Sequence, residues 1–184
     1  MPDATYIFGM SNYAFDNSHS HVVFSVRHMV FAKVRGEFTK WQGTVRLDDA
    51  DLTRSEVAVT IDASSISTND AQRDGHLKSP DFLDVEKHKD ITFKSTKVGS
   101  AGKDKLTLTG DLTIRGVTKP VTLDVELLGR GKDPWGNEKA GFAARGSVDR
   151  RDFGLQWNQV LEAGGVLVGE KVEIEIDTEL VKAK

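Results

Sequence analysis

Residues 16–38 read DNSHSHVVFSVRHMVFAKVRGEF, and the fold turns on how this stretch is read. Val22, Phe24, Val26, His28 and Val30 alternate with Val23, Ser25, Arg27 and Met29, the two-residue period of a β-strand over 20–28. The first set is bulky and apolar until it reaches His28. A wall of this kind fits either solid sheet core or the lining of a pocket. Ala32 and Lys33 suit helix better than sheet, so residues 29–34 read as a candidate helical turn. A second strand is expected over 36–47, with Phe38 and then Gly43, Val45 and Leu47 on one face. Phe38 and Trp41 stand three apart and share that face only across a bulge.

Working outward, the alternation returns several times. It predicts strands over 55–62 (Val57, Val59 and Ile61 inward), 90–98 (Ile91, Phe93 and Ser95) and 105–114 (Leu106, Leu108, Gly110, Leu112 and Ile114). Arg115 and Gly116 form a two-residue hairpin turn that pairs Ile114 with Val117. The inward face continues through Val121, Leu123, Val125 and Leu127, and the count turns Lys119 inward, to the rim or to a bulge at Pro120. Strands over 140–148 (Ala140, Phe142, Ala144, Gly146 and Val148) and 170–181 (Val172, Ile174 and Ile176) follow, with a helical turn expected near 158–162.

Between 64 and 84 the alternation stops. Asn69 with Gln72 resembles a capping box, and Ser79–Pro80 a cap followed by proline at the first helical position. Two short helical pieces are predicted, 69–76 and 80–84, setting Leu77, Phe82 and Leu83 against the sheet. About eight long antiparallel strands with one helical excursion predict an all-β fold: a single antiparallel β-barrel with short helical segments covering one end. Such a barrel is filled by side chains or holds one small ligand. The small residues of 140–148, and Gly43 and Gly110 on other inward faces, favour a ligand-sized interior.

The composition fits one soluble domain spanning 1–184 with a core over 13–181; it is 38% hydrophobic and 29% charged. A net charge of −3 gives no electrostatic case for nucleic acid as a partner. With no cysteine, disulfides and thiolate chemistry are excluded. No apolar run approaches the ~18 residues of a transmembrane helix. The start, MPDATYIFGMSNYAF, lacks the basic opening and long apolar core of a signal peptide. The chain as written reads as cytoplasmic, or as periplasmic if Met1 replaces a removed export signal.

His19 and His21 share one strand face and His28 the other, so no metal site is expected from them, and no HExxH spacing occurs. Ser20, Asp74 and His76 lack a nucleophile elbow, and no catalytic set is expected. In RDGHL (73–77), Arg73 reads two ways. It either caps the helix with a neighbouring acid or, with Lys33, Arg35 or Lys119, faces the anionic head of an amphiphile.

Five segments carry a resemblance to the YceI-like family of bacterial lipid-binding proteins: FDNSHSHVVFSVRHMVFAKVRGEFTKWQG, STNDAQRDGHLKSPDFLD, ITFKST, GDLTIRGVTKPVTL and RRDFG, in order between residues 13 and 180. Asn17, and KHKDITF, depart from it where proline is common. The resemblance implies a lipocalin-like barrel whose elongated interior takes one long apolar chain. That chain is a polyisoprenoid, a quinone-type isoprenoid or a fatty-acid-like lipid, with no other cofactor and no catalytic residues. It also implies that export to the periplasm is common among relatives. Matching motif positions are Phe24, His28, Phe38, Trp41, Arg73, His76, Leu77, Phe82 and Phe93.

Taken together, the expected ligand-binding residues are Phe24, Val26, His28, Phe38, Trp41, Val59, Arg73, His76, Leu77, Phe82, Phe93, Leu108, Leu123, Phe142 and Ile174. His28 is the candidate polar contact. Two other readings stand beside lipid transport or storage: an enzyme on an apolar substrate using His28 or His76, and a filled barrel acting as a stress or interaction protein. Whether two chains pair as a homodimer over the mouth is open.

Overall fold

The hairpin at Arg115–Gly116 forms as its spacing dictates. Arg115 (φ 50°) and Gly116 (φ 73°) both take the left-handed backbone that a two-residue turn between twisted strands requires. They join β8 (Lys105–Ile114) to β9 (Val117–Lys132) in unbroken register, Ile114 opposite Val117 and Leu108 opposite Leu123. Outside, Thr109 and Thr122 share a hydroxyl hydrogen bond of 2.9 Å, and Thr113 and Thr118 one of 2.7 Å, a cross-strand polar ladder behind the apolar face. Leu112 pairs with Lys119, which is exposed at the rim, and Pro120 marks no bulge.

The computed structural model describes residues 9–162 and 164–184. Its remaining strands are β1 (Met10–Phe15), β2 (His21–His28), β3 (Ala32–Phe38), β4 (Trp41–Asp48), β5 (Glu56–Asp62), β6 (Ile66–Ser67), β7 (Asp90–Gly102), β10 (Glu138–Asp149) and β11 (Val168–Lys182). The barrel closes on β11. One edge of β11 pairs with β10; the other pairs with β2 over 168–177 and with β1 over 180–182. β1 and β2 thus act as one long stave, interrupted by a 3₁₀ turn at Asn17–His19 that Asp16 caps by accepting the Ser18 N–H. β3 and β4 run back beside them as a second stave. With β5 and β7 to β11 they make an eight-stranded antiparallel barrel.

Three local expectations change. Residues 29–34 are not a helical turn: β2 and β3 form a hairpin whose apex is Met29, Val30 and Phe31, because pairing along β2 extends to His28–Ala32. The strand expected over 36–47 breaks at Thr39 and Lys40, where pairing passes from β6 to β5, and this break turns both Phe38 and Trp41 inward. In the excursion, α1 is Ala71–Lys78; its cap is Asp70, which accepts the Arg73 N–H at 3.0 Å, not Asn69. Residues 80–84 form hydrogen-bonded turns in place of a second helix. Near 158–162 there is a bridge between Val160 and Val166, and the helical turn lies earlier, at Arg150–Phe153. β1 carries no clear alternation and was not expected as a strand.

α1, the β2–β3 apex and the 150–167 loop crowd one end of the barrel, here the upper end. The lower end holds the start of β1, the end of β11 and a polar tie at Asp49. Its carboxylate accepts from Arg130 (2.7 Å), the Tyr13 hydroxyl (3.0 Å) and Lys182 (3.0 Å). Burial alone would raise the Asp49 pKa, but hydrogen bonds from Lys182, Arg130 and Tyr13 outweigh it and hold the carboxyl at about 2.

Candidate functional site

A cavity of about 330 Å³ runs inside the barrel, from Leu47 and Leu52 at the lower end to Phe82 and Phe153 under the upper end. Twelve of the expected residues line it: Phe24 and Val26 from β2, Phe38 from β3, Trp41 from β4, Val59 from β5, Phe93 from β7, Leu108 from β8, Leu123 from β9, Phe142 from β10, Ile174 from β11, Leu77 from α1, and Phe82. The ionisable groups among the described lining residues are Glu56 and Arg150. Glu56 stands at the lower margin of the lining, its side chain turned outward to Arg46 at 3.5 Å.

How the wall stays open differs from expectation. Gly43 and Gly110 were read as leaving space; instead neighbouring rings occupy it. A Cβ on Gly110 would lie 2.4 Å from Phe93 Cζ, and one on Gly43 2.8 Å from a Phe15 ring carbon. The same device recurs at Gly36, 2.4 Å from Phe24 Cζ, and at Gly146, 2.5 Å from a Leu123 methyl. In each case a bulky side chain folds flat over the neighbouring strand, using the place of a missing Cβ, and does not stand into the lumen. Phe24 then meets Phe38 with ring centres 5.6 Å apart, and Phe15 meets Trp41 edge-on at 5.0 Å. The glycines thin the wall so that the centre remains empty.

Three expected residues do not line the cavity. His28 is the last residue of β2, paired with Ala32 and Val168 above the point where the cavity ends at Val26. Arg73 is used inside the cover: its Nε donates to Thr68 Oγ1 (2.8 Å) and a terminal nitrogen to the Thr68 carbonyl (2.9 Å). Asp74 accepts from the Thr68 N–H (2.8 Å) and hydroxyl (2.6 Å), so the RDG segment locks α1 to the strand before it. His76 hydrogen-bonds Asp81 (2.8 Å) and packs edge-on against Phe82 and Trp157, at 5.1 and 4.6 Å. Among these, the capping reading of Arg73 describes its surroundings, and neither His28 nor His76 faces the lumen.

Arg150 was missed, although it lies in the RRDFG segment. It is 4% exposed, and its guanidinium donates to the carbonyls of Leu155 (2.5 Å), Gly169 (2.7 Å), Trp157 (3.0 Å) and Val168 (3.3 Å). Burial pushes its pKa below the ordinary arginine value, opposed by the fields of Glu170 and Asp149. It ties the 155–169 loop across the upper end, where Phe153 and Leu155 are buried. Nothing in a charged residue flanked by Asp149 and Arg151 signals burial, so periodicity could not have found it.

Among the described residues, Asp16, His19 and Glu179 bring potential metal-ligand atoms within 4.8 Å of one another. The Lys139 ammonium already sits among them, bonded to Glu179 and 3.5 Å from Asp16. Hydrogen bonds from Ser18 and His19 hold the Asp16 carboxyl well below the usual range. Among the described residues no helix is long and apolar enough to cross a membrane.

The YceI-like domain family matches residues 13–180. Protein YceI of Escherichia coli O157:H7 is 43% identical over 141 residues, which cover 77% of this chain and 73% of that protein. The crystal structure of Burkholderia cenocepacia BcnA superposes with a TM-score of 0.79 at 24% identity, covering 90% of this chain and 98% of that one. A polyisoprenoid binding domain from Saccharophagus degradans, implicated in plant cell wall breakdown, gives a TM-score of 0.64 at 14% identity over 93% and 98% of the two chains. These two structural likenesses bear on the fold.

Proposed function

The chain belongs to the YceI-like domain family, and from that premise we propose that it binds a polyisoprenoid or similar long-chain amphiphile in its barrel, as carrier or store, without catalysis. The observation that carries the reading is the cavity itself: an elongated, apolar space of about 330 Å³, within the ~300–1,000 Å³ range of small-molecule sites. Each methylene moved from water into such a lining contributes ~0.8 kcal/mol, so ten of them offer ~8 kcal/mol before the costs of ordering. The tail then supplies most of the affinity. The name of the Saccharophagus degradans domain supports a polyisoprenoid as the ligand class. With Glu56 and Arg150 as the ionisable groups among the described lining residues, the described lining offers no paired acid and base for turnover. The reading calls for no cofactor beyond the lipid.

The test is organic-solvent extraction of the purified protein with mass spectrometry of the extract, followed by uptake of farnesyl and fatty-acyl probes by the stripped protein. A co-purifying long-chain lipid and saturable one-to-one uptake are expected. An empty extract together with no uptake overturns the proposal, and chemical conversion of a bound probe overturns its non-catalytic part.

A further inference from the structure

The β2–β3 apex is the part of this chain that hydrophobic burial does not explain. Met29 is 40% exposed, Val30 65% and Phe31 77%, three consecutive large apolar side chains at the tip of a hairpin. Val160, on the adjoining loop, is 79% exposed. The two loops touch. The Met29 N–H donates to the Leu167 carbonyl at 2.9 Å, and Val30 packs over Gly165. Together they form one apolar surface where single scattered residues would be unremarkable.

The backbone there is strained. Met29 has φ 52° and Val30 φ 71°, a left-handed conformation that a β-branched residue strongly disfavours. Glycine or asparagine would relieve the turn and remove the exposed apolar surface at once. A chain that keeps valine and phenylalanine here retains strain and exposure together, the combination found at functional sites.

Charge says what the surface meets. Residues 24–36, FSVRHMVFAKVRG, hold Arg27, Lys33 and Arg35 and no acid, in a chain of net charge −3. Lys33 and Arg35 pair lower down with Glu173 and Glu175 of β11, while an Arg27 terminal nitrogen donates to the Phe31 carbonyl at 3.4 Å, beside the apex. An apolar tip with the Arg27 cation beside it matches a lipid surface with anionic headgroups: the side chains enter the acyl boundary and Arg27 stays at headgroup level. We propose that the Met29–Val30–Phe31 apex with Val160 is a docking tip that sets the upper end of the barrel against an anionic bilayer.

The test is co-sedimentation of the full chain with phosphatidylcholine vesicles, with and without phosphatidylglycerol. Binding is expected to vesicles that contain phosphatidylglycerol. It should fall at least ~10-fold in Phe31→Asp and weaken at high salt, since headgroup attraction is screened. In Phe31→Trp, tryptophan emission should shift to the blue on those vesicles alone. Phe31 is exposed, so neither variant disturbs the core, and the readout does not depend on whether the cavity is loaded. No binding by the unmodified chain, or equal binding by Phe31→Asp, overturns the proposal. Loss of self-association in Phe31→Asp without loss of vesicle binding also overturns it, since the tip would then meet a second copy of the chain.

Discussion

In the barrel wall, Phe93 extends its ring tip over Gly110; in the upper cap, Phe153 is 1% exposed and enclosed by its neighbours. Both regions use the same apolar residue types, yet the wall rings surround empty space along its length and Phe153 closes its upper end. The difference lies in what stands next to each ring. Wall rings find a missing Cβ on the neighbouring strand and lie down. Cap rings have the 150–169 loop drawn over them by a buried arginine whose donors are taken by four backbone carbonyls. A cavity here is therefore a matter of where glycines stand opposite large side chains, and its closure a matter of polar ties.

The largest effect that bears on this comparison is expected at the tie. Arg150→Met takes this donor from four carbonyls, of which Val168 keeps the Asn158 amide at 2.8 Å, and urea unfolding should show a loss of about 4 kcal/mol. A loss below ~1 kcal/mol would mean that apolar packing alone closes the cap. Next come the two rings. Phe153→Ala should cost about 3–4 kcal/mol, because this ring is 1% exposed and packed by the cap where it ends the cavity. Phe93→Ala, which enlarges space already empty, should cost roughly half as much. Equal costs by denaturant unfolding would erase the distinction between wall and cap.

Gly36→Ala probes the wall from the other side. The three atoms nearest the new Cβ all belong to side chains, two of them to the Phe24 ring, so the ring is expected to rise into the lumen. A stability loss of about 1–2 kcal/mol is expected. Uptake of a farnesyl probe should drop ~10-fold, as the narrowed bore loses packed methylenes. Unchanged uptake would show that the ring can move elsewhere than the bore.

The smallest effect belongs to the lower end. The Asp49 carboxyl is held at about 2, below its ordinary 3.8. Its contribution is full above pH ~4 and is lost as pH falls through 2, because the unfolded chain takes up the proton first. Asp49→Asn should flatten that acid limb of the stability curve by a modest amount, since the group is partly solvated and screened. An unchanged limb would assign the acid sensitivity to other carboxylates.

Alternation along the chain was enough to find most strands, their inward faces and the Arg115–Gly116 turn, because a two-residue period with one buried face admits a single register, but it did not find β1, β6 or the break between β3 and β4. It also named most of the cavity lining, since inward parity and lumen contact coincide in a barrel. Tertiary structure alone decided three things. Whether the inward face is wall or core depends on which residue of another strand lies beside each ring, as with Phe24 and Gly36. Where the cavity stops depends on Arg150, whose burial follows from loop carbonyls that converge only after the barrel has closed. That residues 29–31 form an exposed, strained apex and not a helical turn follows from pairing along the whole of β2 and β3, each strand held in the barrel, which overrides the helix preference of Ala32 and Lys33.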